Sequence, residues 1–246
     1  MVGSLQEKDR GYQVFPASGP LYNALNLSGR DLIQRLGEIE GSVYCYIVTS
    51  VKDRGGLFVQ TGSAPNFQGG LITLCTCKWR MRTGRDLDAW PGRWIAGVTG
   101  AEAGPQGRGH LLYLMRVERA FESHRDLWLW LTEHAPEAAE ARAADRHRVG
   151  DVYRPRASAG SPFDPDAYIP PHPHHVHSGE KWRKDINYIG HSRRRPALLV
   201  GDPHNSFLWS EPRVRVPFHV GRGHRIVSLR ELLAPREGAT GEGIAL

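Results

Sequence analysis

The sequence predicts an α+β fold: a small mixed β-barrel covered by peripheral helices, with a long proline- and histidine-rich excursion. Three observations lead there. Between Val43 and Glu118 the chain carries four short apolar runs, VYCYIVTS, LITLCTCKWRMR, IAGVTG and HLLYLMRVE, separated by glycine, proline and charged residues. The 28 glycines and 17 prolines favour many turns over a helical bundle. From Val149 the character changes to GDVYRPRASAGSPFDPDAYIPPHPHHVHSGEKW, rich in proline, glycine, histidine and aromatics, which reads as an excursion wrapping the domain rather than a second core. The expected organisation is an N-terminal helical decoration over 1–42, a barrel domain over 43–220 with an insertion at about 122–195, and a C-terminal helix and loose tail over 221–246.

The elements follow in order. Ser28 can cap a helix through RDLIQRLGEI, with Leu32, Ile33 and Leu36 on one side. Val43–Thr49 reads as a strand covered on both faces, placing Tyr44 and Tyr46 on the same side. DRGG breaks the chain, and Phe58–Val59 is a brief extended piece. In LITLCTCK the residues Leu71, Thr73, Cys75 and Cys77 alternate with Ile72, Leu74, Thr76 and Lys78, a half-polar strand. RWIAGVTG and HLLYLMRVERAF give two further strands, the second central. APEAAEARAADRHR is rich in helix formers but shows no apolar stripe, so it reads as a solvated helix. ALLVGDPHNSFLW is another strand and VRVPFHV a brief one. RIVSLRELLAP is a closing helix with Ser228 as cap, and GATGEGIAL is a tail.

Composition narrows the function classes. At 246 residues the chain can bury a sizeable core, and no apolar run reaches membrane-spanning length. MVGSLQEKDR lacks the apolar segment of a signal peptide, and three cysteines suit a reducing compartment, so a cytoplasmic protein with no membrane partner is expected. A net charge of +6 and a pI near 9.4 favour an anionic partner, nucleic acid or nucleotide. There is no phosphate loop, dinucleotide fingerprint, serine elbow or zinc-finger spacing, and no cofactor is expected.

The residues that could carry chemistry concentrate in two places. In TGSAPNFQGGLITLCTCK, Gly69 and Gly70 allow close backbone approach, while Asn66, Thr73 and Thr76 could line a slot for a flat polar ligand. The Asn66 amide can read a base edge, or it can lock the Pro65–Phe67 turn through its own backbone. Tyr44, Tyr46 and Trp94 are candidate stacking platforms. Lys78, Arg80 and Arg82 share a face if the strand continues, and would meet phosphates or protect a solvated edge. Cys75 and Cys77 are buried thiols, pocket lining or nucleophiles, and Cys45 could approach them across a sheet; a four-cysteine zinc site is excluded. In the excursion, His172, His174, His175 and His177 could hold a metal with Glu180 or Asp185, although the flanking prolines favour an extended solvated loop and no metal is expected. Alternatively His175 or His177 acts as a general base oriented by Asp185, with Trp182, Asn187 and Tyr188 forming a wall.

The order Tyr44-x-Tyr46, then Ala64-Pro65-Asn66-x-x-Gly69-Gly70, Thr73-Leu74-Cys75-Thr76-Cys77-Lys78, Arg80 and Arg82, and Gly92-x-Trp94-Ile95-x-Gly97 resembles the nucleotide modification associated domain 2 family. GRGHLLYLMRV, GDVY and ALLVGDPHNSFLW are similar to that family's later blocks, and His175, His177 and Asp185 fall in its polar region. The likeness spans residues 43–210. It implies an association with bacterial and phage systems that handle hypermodified bases. A second likeness, at the level of fold, is to the small barrels of the pseudouridine synthase and archaeosine transglycosylase (PUA) type, which implies a base-reading pocket.

Three functions compete. The leading expectation is recognition of a modified base or nucleotide in nucleic acid, with Asn66 orienting the base and Lys78, Arg80 and Arg82 holding phosphates. The alternative is an enzyme acting on a nucleobase or nucleotide through a His/Asp or cysteine site. A third is a scaffold that uses Trp128 and Trp130 at an interface.

Overall fold

The structure, a computed structural model, describes residues 12–143, 149–157, 160–173, 175–190 and 193–234. It is a mixed α+β fold. The strands are β1 (Ser42–Val48), β2 (Val51–Asp53), β3 (Phe58–Gln60), β4 (Thr73–Leu74), β5 (Trp94–Thr99), β6 (Leu111–Phe121), β7 (Leu198–Leu208) and β8 (Arg225–Ser228). The helices are α1 (Gly19–Asn23), α2 (Gly29–Leu36), α3 (Trp79–Arg82), α4 (Gly104–Gly107), α5 (His124–His134), α6 (Pro136–Ala143), α7 (Lys181–Asn187) and α8 (Leu229–Leu233). None of the described helices is long and apolar enough to cross a membrane.

Six strands are hydrogen-bonded in the order β4-β7-β6-β5-β1-β8, and β2 pairs with β3 alone. The larger sheet ends on β4 and on β8, so it is open. This corrects the expected barrel, and with it the PUA-type likeness and the base-reading barrel pocket. The physical reason lies in the run from Leu71 to Lys78. Only Thr73 and Leu74 pair with β7, opposite Val200 and Leu199. Beyond them the carbonyls of Cys75 and Cys77, which a neighbouring strand would need, accept from the Arg82 guanidinium. Lys78 then turns left-handed (φ 57°, ψ 39°) and the chain enters α3. The basic strand edge expected of Lys78, Arg80 and Arg82 is therefore not formed.

The chain divides into two compact units interleaved along the sequence. The second unit comprises Ala17–Gln60, Pro91–Glu118 and the chain from Gly201. Its centre is β1, parallel to β5 and antiparallel to β8, with β5 antiparallel to β6. Val43, Cys45, Ala96, Val98, Leu111, Leu114, Phe207 and Trp209 form its core, with Leu32 of α2 and Leu229, Leu232 and Leu233 of α8 packed against them. Ser28 caps α2 through the Asp31 N–H, and Ser228 caps α8 through the Glu231 N–H, each satisfying a helix-end donor. Gly97 has no room for a side chain, because a Cβ would lie 2.3 Å from the Tyr113 ring. Val214, Val216 and Val220 are buried, but VRVPFHV, read as a brief strand, makes only an isolated bridge between Arg215 and His110. Arg225–Ser228, at the head of the segment read as the closing helix, is strand β8, and the helix follows its Ser228 cap.

The first unit holds Thr61–Trp90, Arg119–Val200 and the segment ending at Pro16. Leu71, Cys75, Val152, Leu198 and Val200 pack with Leu127 and Leu131 of α5 and Ala138 and Ala139 of α6. Within the excursion Tyr153, Ala167, Tyr168, Trp182 and Ile186 make a smaller apolar cluster of their own. Expectations for the final tail and for residues 144–148 lie outside the described residues.

Candidate functional site

The glycine-flanked loop of the first unit is a clamp. Asn66 and Thr73 exchange both backbone hydrogen bonds, at 2.8 and 2.7 Å. The Asn66 amide donates to Val149 O at 2.7 Å and accepts from the Gln68 N–H at 3.0 Å, and the residue is fully buried. Gln13 closes the other side, donating to Gly62 O and Pro65 O and accepting from the Phe67 N–H. Gly69 (φ +70°) lies directly under α6, where a Cβ would come within 2.5 Å of Ala138 Cα; Gly70 is also left-handed. Arg142 reaches down from α6 and donates to the carbonyls of Asn66, Gln68, Leu71 and Ala138 and to Thr73 Oγ1. Thr73 in turn donates to Asp151 Oδ2 at 2.8 Å, and Arg142 Nε lies 3.5 Å from Asp151 Oδ1 with both side chains inaccessible. Burial raises the Asp151 pKa despite the neighbouring guanidinium. The Cys75 thiol is pushed well up by burial and by Asp151. Thr76 pairs with Ser63 at 2.8 Å.

Helix α6 is therefore not solvated over its described length. Its inward positions are Ala138, Ala139 and Arg142, which supply no bulky stripe, and the contact depends on small residues meeting Gly69. Arg142 was invisible as a buried residue because arginine seldom is one.

The candidates divide between the units. Tyr44, Tyr46 and Trp94 belong to the second unit and are buried, Tyr46 edge-on to Tyr113 with their hydroxyls 2.9 Å apart. Cys45 is also there, its thiol pushed up to about 12 by burial. In the first unit Arg82 is fully buried and donates to the carbonyls of Cys75, Cys77 and Ala197. Burial lowers the pKa of Arg82 and also that of Lys78, which is half-buried. Arg80 and Asn187 are exposed, and Cys77 is half-buried with its Sγ 3.5 Å from Ala64 O.

Three predicted residues do converge. His177 Nδ1 lies 2.5 Å from Asp185 Oδ2, and the Tyr153 hydroxyl donates to that same oxygen at 2.8 Å. Asp185 projects from α7 with its side chain wholly inaccessible, whereas the His177 side chain is 26 % exposed. His175 stands behind them. Its Nε2 is 2.6 Å from Gly150 O and its Nδ1 accepts from the His177 N–H at 3.0 Å, which assigns the Nε2–H tautomer. Burial lowers the His175 pKa and favours that neutral form. Both nitrogens of His175 are thus occupied in holding the loop, while His177 Nε2 has no hydrogen-bond partner among the described residues. His124 packs edge-on to Tyr153 with centroids 4.8 Å apart, its pKa lowered to about 3 by burial and by Arg82. Tyr153, buried and raised well above its usual pKa by burial and by Asp185, escaped sequence reasoning, although it closes the GDVY block.

Among the described residues no group of histidine, cysteine and carboxylate side chains is placed to hold a metal ion. His172 is half-buried, and its carbonyl accepts from the His175 N–H; His174 lies outside the described residues. Comparisons with protein-family models, curated proteins and solved structures found no match, so no relative supports a PUA-like or nucleic-acid-binding description.

Proposed function

We propose that the first unit carries the acid–base centre of an enzyme acting on a nucleobase or nucleotide, with His177 moving the proton and Asp185 orienting its ring. The observation that carries this reading is the 2.5 Å contact between His177 Nδ1 and a buried carboxylate, with the imidazole partly open to solvent. Asp185 accepts the Nδ1–H and selects that tautomer, which leaves Nε2 to take the proton. Tyr153 keeps the carboxylate from rotating. A nucleotide substrate is supported by the basic charge and by the resemblance to the nucleotide modification associated domain 2 family. Recognition without chemistry, with Asn66 meeting a base edge, would require Asn66 to leave Val149 and Gln68.

The test is a mass-spectrometric screen of canonical and modified nucleobases, nucleosides and nucleotides incubated with the wild type and with His177→Asn. Conversion by the wild type that falls about 10²- to 10⁴-fold in the variant, with the circular dichroism spectrum unchanged, supports the reading. Conversion that survives the substitution removes His177 from the chemistry. A panel left untouched removes the nucleotide.

A further inference from the structure

The second unit buries every aromatic residue that the sequence offered as a stacking platform, yet the first unit carries an aromatic pair that is not buried. Trp79 and Tyr188 stack with ring centroids 4.4 Å apart and planes 29° from parallel, and both are half-buried. Each is held by local structure. Trp79 opens α3 immediately after Lys78, whose left-handed backbone (φ 57°) is uncommon outside glycine and sets the direction of the helix. Tyr188 caps α7, its N–H bonded to Lys184 O at 3.1 Å. Two residues on, Gly190 presses against Thr83, where a Cβ would come within 2.8 Å of Thr83 Cγ2, so the loop after Tyr188 sits directly on the end of α3.

Tyr188 caps the helix that carries Asp185. Tyr188 is three residues beyond Asp185, within one helical turn of the carboxylate that orients His177. Basic residues neighbour both rings along the chain. Arg80 follows Trp79, Lys184 lies four residues before Tyr188 on the same side of α7, and Arg193 follows in the next turn; all three are exposed. None of them forms an ion pair among the described residues. A half-covered aromatic stack flanked by unpaired cations suits a ligand that joins a planar ring to a phosphate.

We infer that Trp79 and Tyr188 form the subsite that stacks the base of a nucleotide, with Arg80 and Lys184 meeting its phosphate. This rests on the nucleotide reading above but not on the proton transfer. The test is isothermal titration of the full chain with AMP, GMP, CMP and UMP, and with ribose 5-phosphate as a ringless control. At least one nucleotide is expected to bind more tightly than ribose 5-phosphate. Trp79→Leu and Tyr188→Leu are each expected to weaken that binding by about ten- to a hundredfold, and Trp79→Phe by less than about tenfold. The titration reads binding and the turnover screen reads conversion, so lost conversion with intact affinity removes the chemistry alone, whereas lost affinity removes the subsite. If Trp79→Leu does not fold, Tyr188→Leu and Trp79→Phe decide. Unchanged affinity in a folded Leu variant, equal binding of ribose 5-phosphate, or no nucleotide binding at millimolar concentration overturns the inference.

Discussion

Arg142→Met removes the centre of the clamp while keeping most of the side-chain length. The guanidinium now donates to Thr73 Oγ1 at 3.0 Å, to Ala138 O at 3.1 Å and to Asn66 O at 3.3 Å, and also to Gln68 O and Leu71 O. It is also the positive charge nearest the inaccessible Asp151. Breaking a buried pair from one side leaves the other charge without compensation and costs about 3–5 kcal/mol, with orphaned carbonyls adding to the upper part of that range. That is a large share of a typical stability of about 5–15 kcal/mol. The deficit carries a sign with pH. Burial raises the Asp151 pKa above its ordinary 3.8 and Arg142 holds it down, so the substitution lets it climb further. A carboxyl raised on folding contributes stability that is complete below its unfolded pKa and lost as pH rises through the folded value. The variant's deficit is therefore expected to be larger at about pH 8 than at about pH 5. Urea unfolding of both proteins at the two pH values measures it. A deficit below about 1 kcal/mol, or one that does not grow with pH, would refute the clamp.

Other consequences are as direct. Gly69→Ala places a Cβ 2.5 Å from Ala138 Cα on a left-handed backbone, and is expected to cost about 2–4 kcal/mol by thermal or urea unfolding. His124 is expected to contribute a loss of stability on mild acidification: folded, it stays neutral until about pH 3, whereas the unfolded chain binds the proton below about pH 6.5. That contribution is complete above the unfolded pKa and falls by about 2 kcal/mol on reaching about pH 5, so His124→Phe should flatten the dependence of urea unfolding on pH. Native-state alkylation followed by mass spectrometry is expected to modify Cys77 before Cys45 and Cys75, whose thiols are buried and raised.

Much of the second unit was legible because its signals are local. Ser28 and Ser228 stand at the helix starts that a capping residue marks, and the apolar runs at Val43, Trp94 and Leu111 become β1, β5 and β6. The first unit was harder because its decisive contacts join distant, unlike residues. Alternation in LITLCTCK suggested a long strand, but Arg82 took the carbonyls that would have extended the ladder. Extending that strand through KWRMR hid helix α3 and with it the stack of Trp79 on Tyr188, more than a hundred residues away. Asn66 attracted a ligand role because its amide carries both donor and acceptor atoms, which suit a base edge as well as a turn. Here the amide fastens its own loop to Val149. His177 and Asp185 were legible as a pair because eight residues separate them. Tyr153, which completes the arrangement, lies too far upstream for spacing to reveal.

Long-range proton–nitrogen NMR of the histidine side chains, compared between the wild type and His177→Asn at alkaline pH, reaches the dyad itself. The resonance that the substitution removes should belong to an imidazole protonated at Nδ1 and bare at Nε2, and Asp185→Asn should disturb that same signal. A ring protonated at Nε2 instead, or one indifferent to Asp185, would leave no outward-facing base and contradict the account.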